Sequence, residues 1–276
     1  MVFGIILKIY QILLPFLFRT VIVYTLGVNY LGLNSLFTSI LQVLNLAELG
    51  VGSAMIFSMY KPIAEDDEKK ICALMNLYRK YYNIIGLVIL VIGILLTPFI
   101  PKLINGEVPK EINIYILYIM NLIATVLSYW LLAYRNSVLQ AHQRLDVSSK
   151  ITIVTDSFKY FFQLVALYFC KNYYLYVLAI LITQLVNNII TAHMAKKMYP
   201  NYNPEGCISK NETIVINHRI RDLFTSKLGG VIVNSADTIV ISAFLGLKIL
   251  AIYQNYFYII SAIMGFITVL NNSVLA

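Results

Sequence analysis

Long apolar stretches separated by short polar connections run the length of the chain, and eight of them are long enough to cross a lipid bilayer. A spanning helix needs about 20 mostly apolar residues. The stretches of that length are Val2 to Leu26, Leu36 to Tyr60, Tyr81 to Ile100, Ile112 to Tyr134, Ile151 to Cys170, Tyr173 to Ala195, Leu223 to Leu245 and Leu250 to about Ala276. They are continuous and lack the alternation that the lumen and lipid faces of a barrel impose, so helices, which satisfy their own backbone groups in lipid, are favoured. The pattern predicts an all-α integral membrane protein. The first stretch is about twice the length of a cleavable signal core and shows no small-residue cleavage site, so it reads as a retained helix. Between Ile214 and Phe224 the spacing of Ile216, Ile220, Leu223 and Phe224 against Arg219, Arg221 and Asp222 predicts a short amphipathic helix on the cytoplasmic surface.

Polar positions inside the apolar stretches carry the functional signal. Arg19, Glu48, Asp156, Lys159 and Asp237 each interrupt such a stretch. An ionised group at membrane depth is costly unless it faces protein or water, so such residues mark pathways and cavities. They share helix faces, at spacings of three, four and seven, with other polar groups. The fifth stretch presents Thr152, Asp156, Lys159 and Gln163; the second presents Thr38, Gln42, Asn45 and Glu48, then Gly52; the seventh presents Ser226, Gly230, Asn234 and Asp237. Gln11, Pro15 and Arg19 form a fourth wall on the first stretch. A hydrated central cavity walled by helices one, two, five and seven is therefore expected.

Composition agrees: 59% of residues are hydrophobic, 12% are charged and the mean hydropathy is +0.76. The net charge of +8 is explained by topology, because one set of alternating connections holds fifteen lysines and arginines and the other set four. By the positive-inside rule the amino terminus is cytoplasmic. No basic patch interleaved with aromatics forms a compact domain, which argues against a nucleic-acid partner. Tyr81, Tyr82, Tyr173, Tyr174 and Tyr176, at presumed helix ends, fit an interfacial belt. Lys69, Lys70, Arg79 and Lys80 are placed to touch anionic headgroups of membrane lipids. Cys72, Cys170 and Cys207 have no paired spacing, and His142, His193 and His218 fall in or beside cytoplasmic connections. Neither a disulfide, a metal site nor a cofactor is expected. Asn211-Glu-Thr213 matches a glycosylation sequon but lies on the cytoplasmic side and is read as chance.

Val21-Ile-Val-Tyr-Thr-Leu-Gly27 followed by Leu31-Gly-Leu33 returns 219 residues later as Val240-Ile-Ser-Ala-Phe-Leu-Gly246 followed by Leu250-Ala-Ile252. Six helices separate the copies, so both have the same orientation, as in transporters built from two parallel repeats. Residues 1–200 are then a first six-helix lobe, 201–222 a cytoplasmic linker, and 223–276 the first two helices of a second lobe.

Leu26-Gly27 with Tyr30-Leu-Gly-Leu33, Leu36-Phe-Thr-Ser-Ile-Leu41 and Leu46-Ala-Glu-Leu-Gly-Val-Gly-Ser-Ala54 resembles the opening of bacterial polysaccharide flippases of the multidrug, oligosaccharidyl-lipid and polysaccharide exporter superfamily. Asp237-Thr-Ile-Val-Ile-Ser-Ala-Phe-Leu-Gly246 resembles the start of their second lobe. The resemblance implies a non-enzymatic flippase in the cytoplasmic membrane. By alternating access it would translocate an undecaprenyl-pyrophosphate-linked oligosaccharide, alongside a polysaccharide polymerase and glycosyltransferases. Such flippases have twelve or more helices, so the chain is expected to be a fragment.

On this reading Arg19 and Lys159 bind pyrophosphate, whose desolvation needs cations. Glu48, Asp156 and Asp237 are candidates for coupling to a proton or sodium gradient, and Gln42, Asn45, Thr152, Gln163 and Asn234 line the cavity. A cation-coupled drug exporter would use a smaller, more acidic cavity, which Arg19 and Lys159 argue against. A membrane-bound polymerase would need a larger external loop than any present.

Overall fold

The computed structural model describes the backbone of residues 2–106, 108–109 and 111–274, and the side chains of residues 9–265 apart from 47, 107, 110 and 234. The described residues form ten α-helices and no strand: α1 (Val2–Thr25), α2 (Val28–Leu44), α3 (Val51–Ala64), α4 (Glu68–Leu96), α5 (Ile114–Trp130), α6 (Asn136–Ala141), α7 (Leu145–Val165), α8 (Tyr173–Met198), α9 (Lys210–Leu245) and α10 (Leu247–Val274). Short polar residues start several of them. Asp67 accepts a hydrogen bond from the Lys70 amide (3.0 Å), Asn113 and Asn172 do the same for the first turns of α5 and α8, and Ser209 with Glu212 caps α9 reciprocally.

The protein is an all-α membrane protein. α4 with its 3₁₀ extension to Leu103, α8, α9 and α10 are each long and apolar enough to span a bilayer, and α5 with residues 133–141, bent by 49° between them, makes a fifth where the pair is taken as one span.

The predicted second span, Leu36 to Tyr60, is two helices. α2 begins eight residues earlier, after Gly27 at φ 113°, and ends at Leu44 in a 3₁₀ turn over Asn45–Glu48. Gly50, at φ 88° in the left-handed region, turns the chain into α3. The glycine is required twice over, because a Cβ there would also lie 2.8 Å from the Ile220 carbonyl oxygen of α9. The predicted amphipathic surface helix over Ile214–Phe224 is no separate element either, being the first part of the 36-residue α9. With no breaker between Thr213 and Leu223, backbone hydrogen bonding carries the helix from the surface into the apolar stretch.

α2 is the packing hub, touching α1, α5, α9 and α10, while α7 lies against α1 and α8, and α4 against α3 and α5. Its contact with α10 depends on Gly32, where a Cβ would stand 2.3 Å from the Leu247 carbonyl oxygen. At that end of the bundle the α9–α10 corner is tied to the segment after α4. The Asn105 amide donates to the Ser242 carbonyl (3.0 Å), the Asn105 side chain to Phe244 (2.8 Å), and the Ser242 hydroxyl to Leu103 (2.7 Å). At the opposite end α9 lies along α3 and α4. The Arg219 guanidinium sits over the Phe57 ring at 4.2 Å, and Tyr81 donates to Asn217 at 2.6 Å.

Candidate functional site

α1, α2, α7, α8 and α10 line an open cavity of about 520 Å³. Three features of the local sequence aim polar groups into it. α2 presents Asn34, Ser35, Thr38, Ser39 and Gln42 along one face, α10 presents Gln254, Tyr258 and Ser261 at spacings of four and three, and α7 presents Lys159 and Gln163.

Arg19 lies on α1 one turn beyond Pro15, and both line the cavity. Its Nη1 donates to the Gln254 carbonyl at 3.3 Å, its Nη2 to the Ser35 hydroxyl at 3.4 Å, and its guanidinium carbon is 4.9 Å from the Tyr258 ring centroid. These are long bonds to neutral groups. No carboxylate lies within ion-pair distance of Arg19 among the described residues. Lys159 differs: its ammonium is 2.7 Å from Asp156 Oδ1 and 4.3 Å from the Tyr160 ring centroid, and both members of the pair have side chains 17% exposed. Gln163 is 1% exposed and its amide oxygen accepts no hydrogen bond.

The sequence-predicted residues separate into groups. Arg19, Lys159, Gln42 and Gln163 line this cavity, and Asp156 supports Lys159 from beside it. Asn45 does not line it, because the 3₁₀ turn after Leu44 rotates the expected stripe away and Asn45 accepts from Tyr129 at 3.1 Å. The same turn carries Glu48 into a different, smaller cavity. Thr152 is half-buried and outside the lining. Asp237, with Ser226 and Gly230, lies on an exposed face of α9, where its Oδ2 accepts from Tyr253 at 3.0 Å. The side chain of Asn234 lies outside the described residues. Sequence reasoning missed Ser35, Tyr176, Gln254, Tyr258 and Ser261. The spacing of the last three along the eighth apolar stretch was a legible stripe, but it holds no charge.

No group of three or more histidine, cysteine, aspartate or glutamate side chains able to hold a metal occurs among the described residues.

The fold and site define the class: a polytopic helical membrane protein with a cation-bearing cavity between its helices. The chain belongs to the polysaccharide biosynthesis protein family, whose model matches residues 2–276, and which is the family of flippases for lipid-linked oligosaccharides. Neither a curated protein nor a solved structure matches the chain.

Proposed function

We propose that the protein moves an undecaprenyl-pyrophosphate-linked oligosaccharide across the cytoplasmic membrane, with Arg19 as the group that receives the pyrophosphate. The observation that carries this reading is a mostly buried guanidinium in a cavity of about 520 Å³ with no acidic partner among the described residues. A cation out of water is costly until an anion meets it, and a planar guanidinium holds phosphate oxygens through two parallel bonds. Gln254 and Ser35 orient it without neutralising it. Lys159 is compensated by Asp156 and takes the secondary role of a headgroup contact that must first loosen that pair. The hydroxyl and amide groups of α2 and α10 suit sugar hydroxyls. The distribution of lysine and arginine supports a cytoplasmic amino terminus, and the repeat supports two lobes between which the cavity alternates.

The test is flipping of a fluorescent lipid-linked oligosaccharide in proteoliposomes, with binding measured in detergent. Arg19→Ala weakens binding by about 30-fold or more, the cost of truncating one partner of a buried charged contact, and stops flipping. Arg19→Lys retains part of both. Unchanged binding and flipping in Arg19→Ala overturn the assignment.

A further inference from the structure

A second chamber lies apart from the central cavity, behind the break between α2 and α3. It has a volume of about 240 Å³ and is walled by Glu48 and Ser53 from the break and α3, Tyr82 from α4, Asn136 and Ser137 from α6, and Asn188 from α8. Its chemistry is that of hard oxygen donors. Glu48 Oε1 accepts from the Tyr82 hydroxyl at 3.2 Å, and that hydroxyl is itself donated to by Tyr78 at 2.6 Å. Asn136 Oδ1 is buried and accepts no hydrogen bond. Asn188 commits its amide nitrogen to the Ser128 carbonyl at 2.9 Å, which leaves its oxygen for the chamber.

A carboxylate and an orphaned amide oxygen sharing one buried space are both short of positive charge, and leaving them so is expensive. No lysine or arginine lies within ion-pair distance of Glu48 among the described residues. Lys227 of α9 stops at the rim, its ammonium donating to the Ser53 hydroxyl at 3.1 Å, and so brings a positive charge to the mouth of the chamber without entering it. One acid among neutral oxygens matches a single positive charge, whereas multi-carboxylate sets suit divalent ions. A bound water occupies about 30 Å³, so the chamber has room for an ion that keeps part of its hydration.

We propose that this chamber is a sodium site and that Lys227 is its tethered competitor. With the chamber empty, the Glu48 carboxylate draws the Lys227 ammonium toward the rim and holds α9 against α3. With sodium bound, that attraction is cancelled and the contact loosens. The use of such a switch, coupling the ion to movement of α9 in the second lobe, rests on the flippase reading; the site itself does not.

The test uses the whole chain in detergent at constant pH and ionic strength, titrated with sodium chloride against choline chloride. Binding is read directly with radioactive sodium and indirectly by fluorescence of Trp130, the chain's one tryptophan. Its neighbour Tyr129 meets the Tyr82 ring edge-on at 5.2 Å. Saturable sodium binding is expected, weakened at least 10-fold by Glu48→Gln and by Asn136→Leu. Lys227→Gln, an exposed substitution that leaves the fold intact, tightens it about 5-fold, the lower end of ordinary coupling between sites. Sodium also slows cross-linking by a short bis-maleimide between cysteines placed at Ser58 and Arg219 in a background with Cys72, Cys170 and Cys207 changed to serine, but not when Glu48→Gln is added.

Equal responses to sodium and choline overturn the site, as does a response to pH alone, which makes it a proton site. Unchanged sodium affinity in Lys227→Gln overturns the competitor role. Failure of the flippase reading shows separately, as absence of lipid-linked oligosaccharide binding to sodium-saturated wild type.

Discussion

Arg19 and Lys159 bring the same charge to the same cavity in different states of neutralisation, and that difference sets what each substitution does. Lys159 and Asp156 form a pair three residues apart on α7, so removing either leaves a mostly buried, uncompensated charge. Lys159→Met or Asp156→Asn alone is expected to lower stability by on the order of 3 kcal/mol, while the double variant recovers most of it. A thermal denaturation cycle on the four proteins measures this, and additive losses would show that the pair does not interact. Arg19 has no such partner among the described residues, and Arg19→Met is expected to preserve the melting temperature while losing substrate binding. Both residues were legible in the sequence because charge inside an apolar stretch stands out. That one is paired and one is not was visible only in part, since the i, i+3 spacing shows Asp156 beside Lys159 but nothing local shows that α2 and α10 bring Arg19 neutral groups, the Ser35 hydroxyl, the Gln254 carbonyl and the Tyr258 ring.

The elements whose ends differ from expectation are those whose ends are set by neighbours. Hydrophobicity is continuous from Leu36 to Tyr60, and the helix nonetheless breaks at Asn45 because Gly50 accepts a left-handed backbone and lets α9 cross at its Cα. Gly50→Ala forces strain at φ 88° together with a clash, and is expected to cost about 1–3 kcal/mol. Gly32→Leu, made against the α10 backbone, is expected to cost at least as much and to weaken the α2–α10 contact. Differential scanning fluorimetry of both variants, with Gly229→Ala in open space as the control, checks the direction. On α1, Pro15 has no amide hydrogen to offer the carbonyl four residues earlier, and the Tyr258 hydroxyl of α10 reaches that carbonyl, Gln11, at 3.4 Å and Ile12 at 2.7 Å. Tyr258→Phe removes this tie at a cost of about 1 kcal/mol, read as faster amide exchange in residues 11–16 of α1. The sequence shows the proline, but the tyrosine that answers it lies about 240 residues away.

For the whole molecule, the connections matter as much as the spans. His142, after α6, stacks on Tyr199 at 4.2 Å and faces Tyr202 at 5.7 Å, and its Nε2 is buried without a partner. Burial holds its imidazole below the ordinary value, because charging it there forfeits hydration. The folded state therefore takes up this proton less readily than the unfolded chain, so the contribution is complete above about pH 6.5 and is lost as pH falls below it. The melting temperature is expected to drop between pH 7 and pH 5.5, and His142→Phe to flatten that drop; an identical profile in the variant would remove the histidine as its cause. By itself the sequence determined the solvent, the helical class, the family and that Arg19, Asp156 and Lys159 carry charge into apolar helices, because lipid penalises unsatisfied backbone and stray charge locally, residue by residue. Only the tertiary structure decided that Glu48 and Asn45 leave the central cavity, that Asp237 pairs with Tyr253, and that α10 completes the wall around Arg19. Those outcomes depend on where one helix crosses another, and no period within a single stretch encodes that.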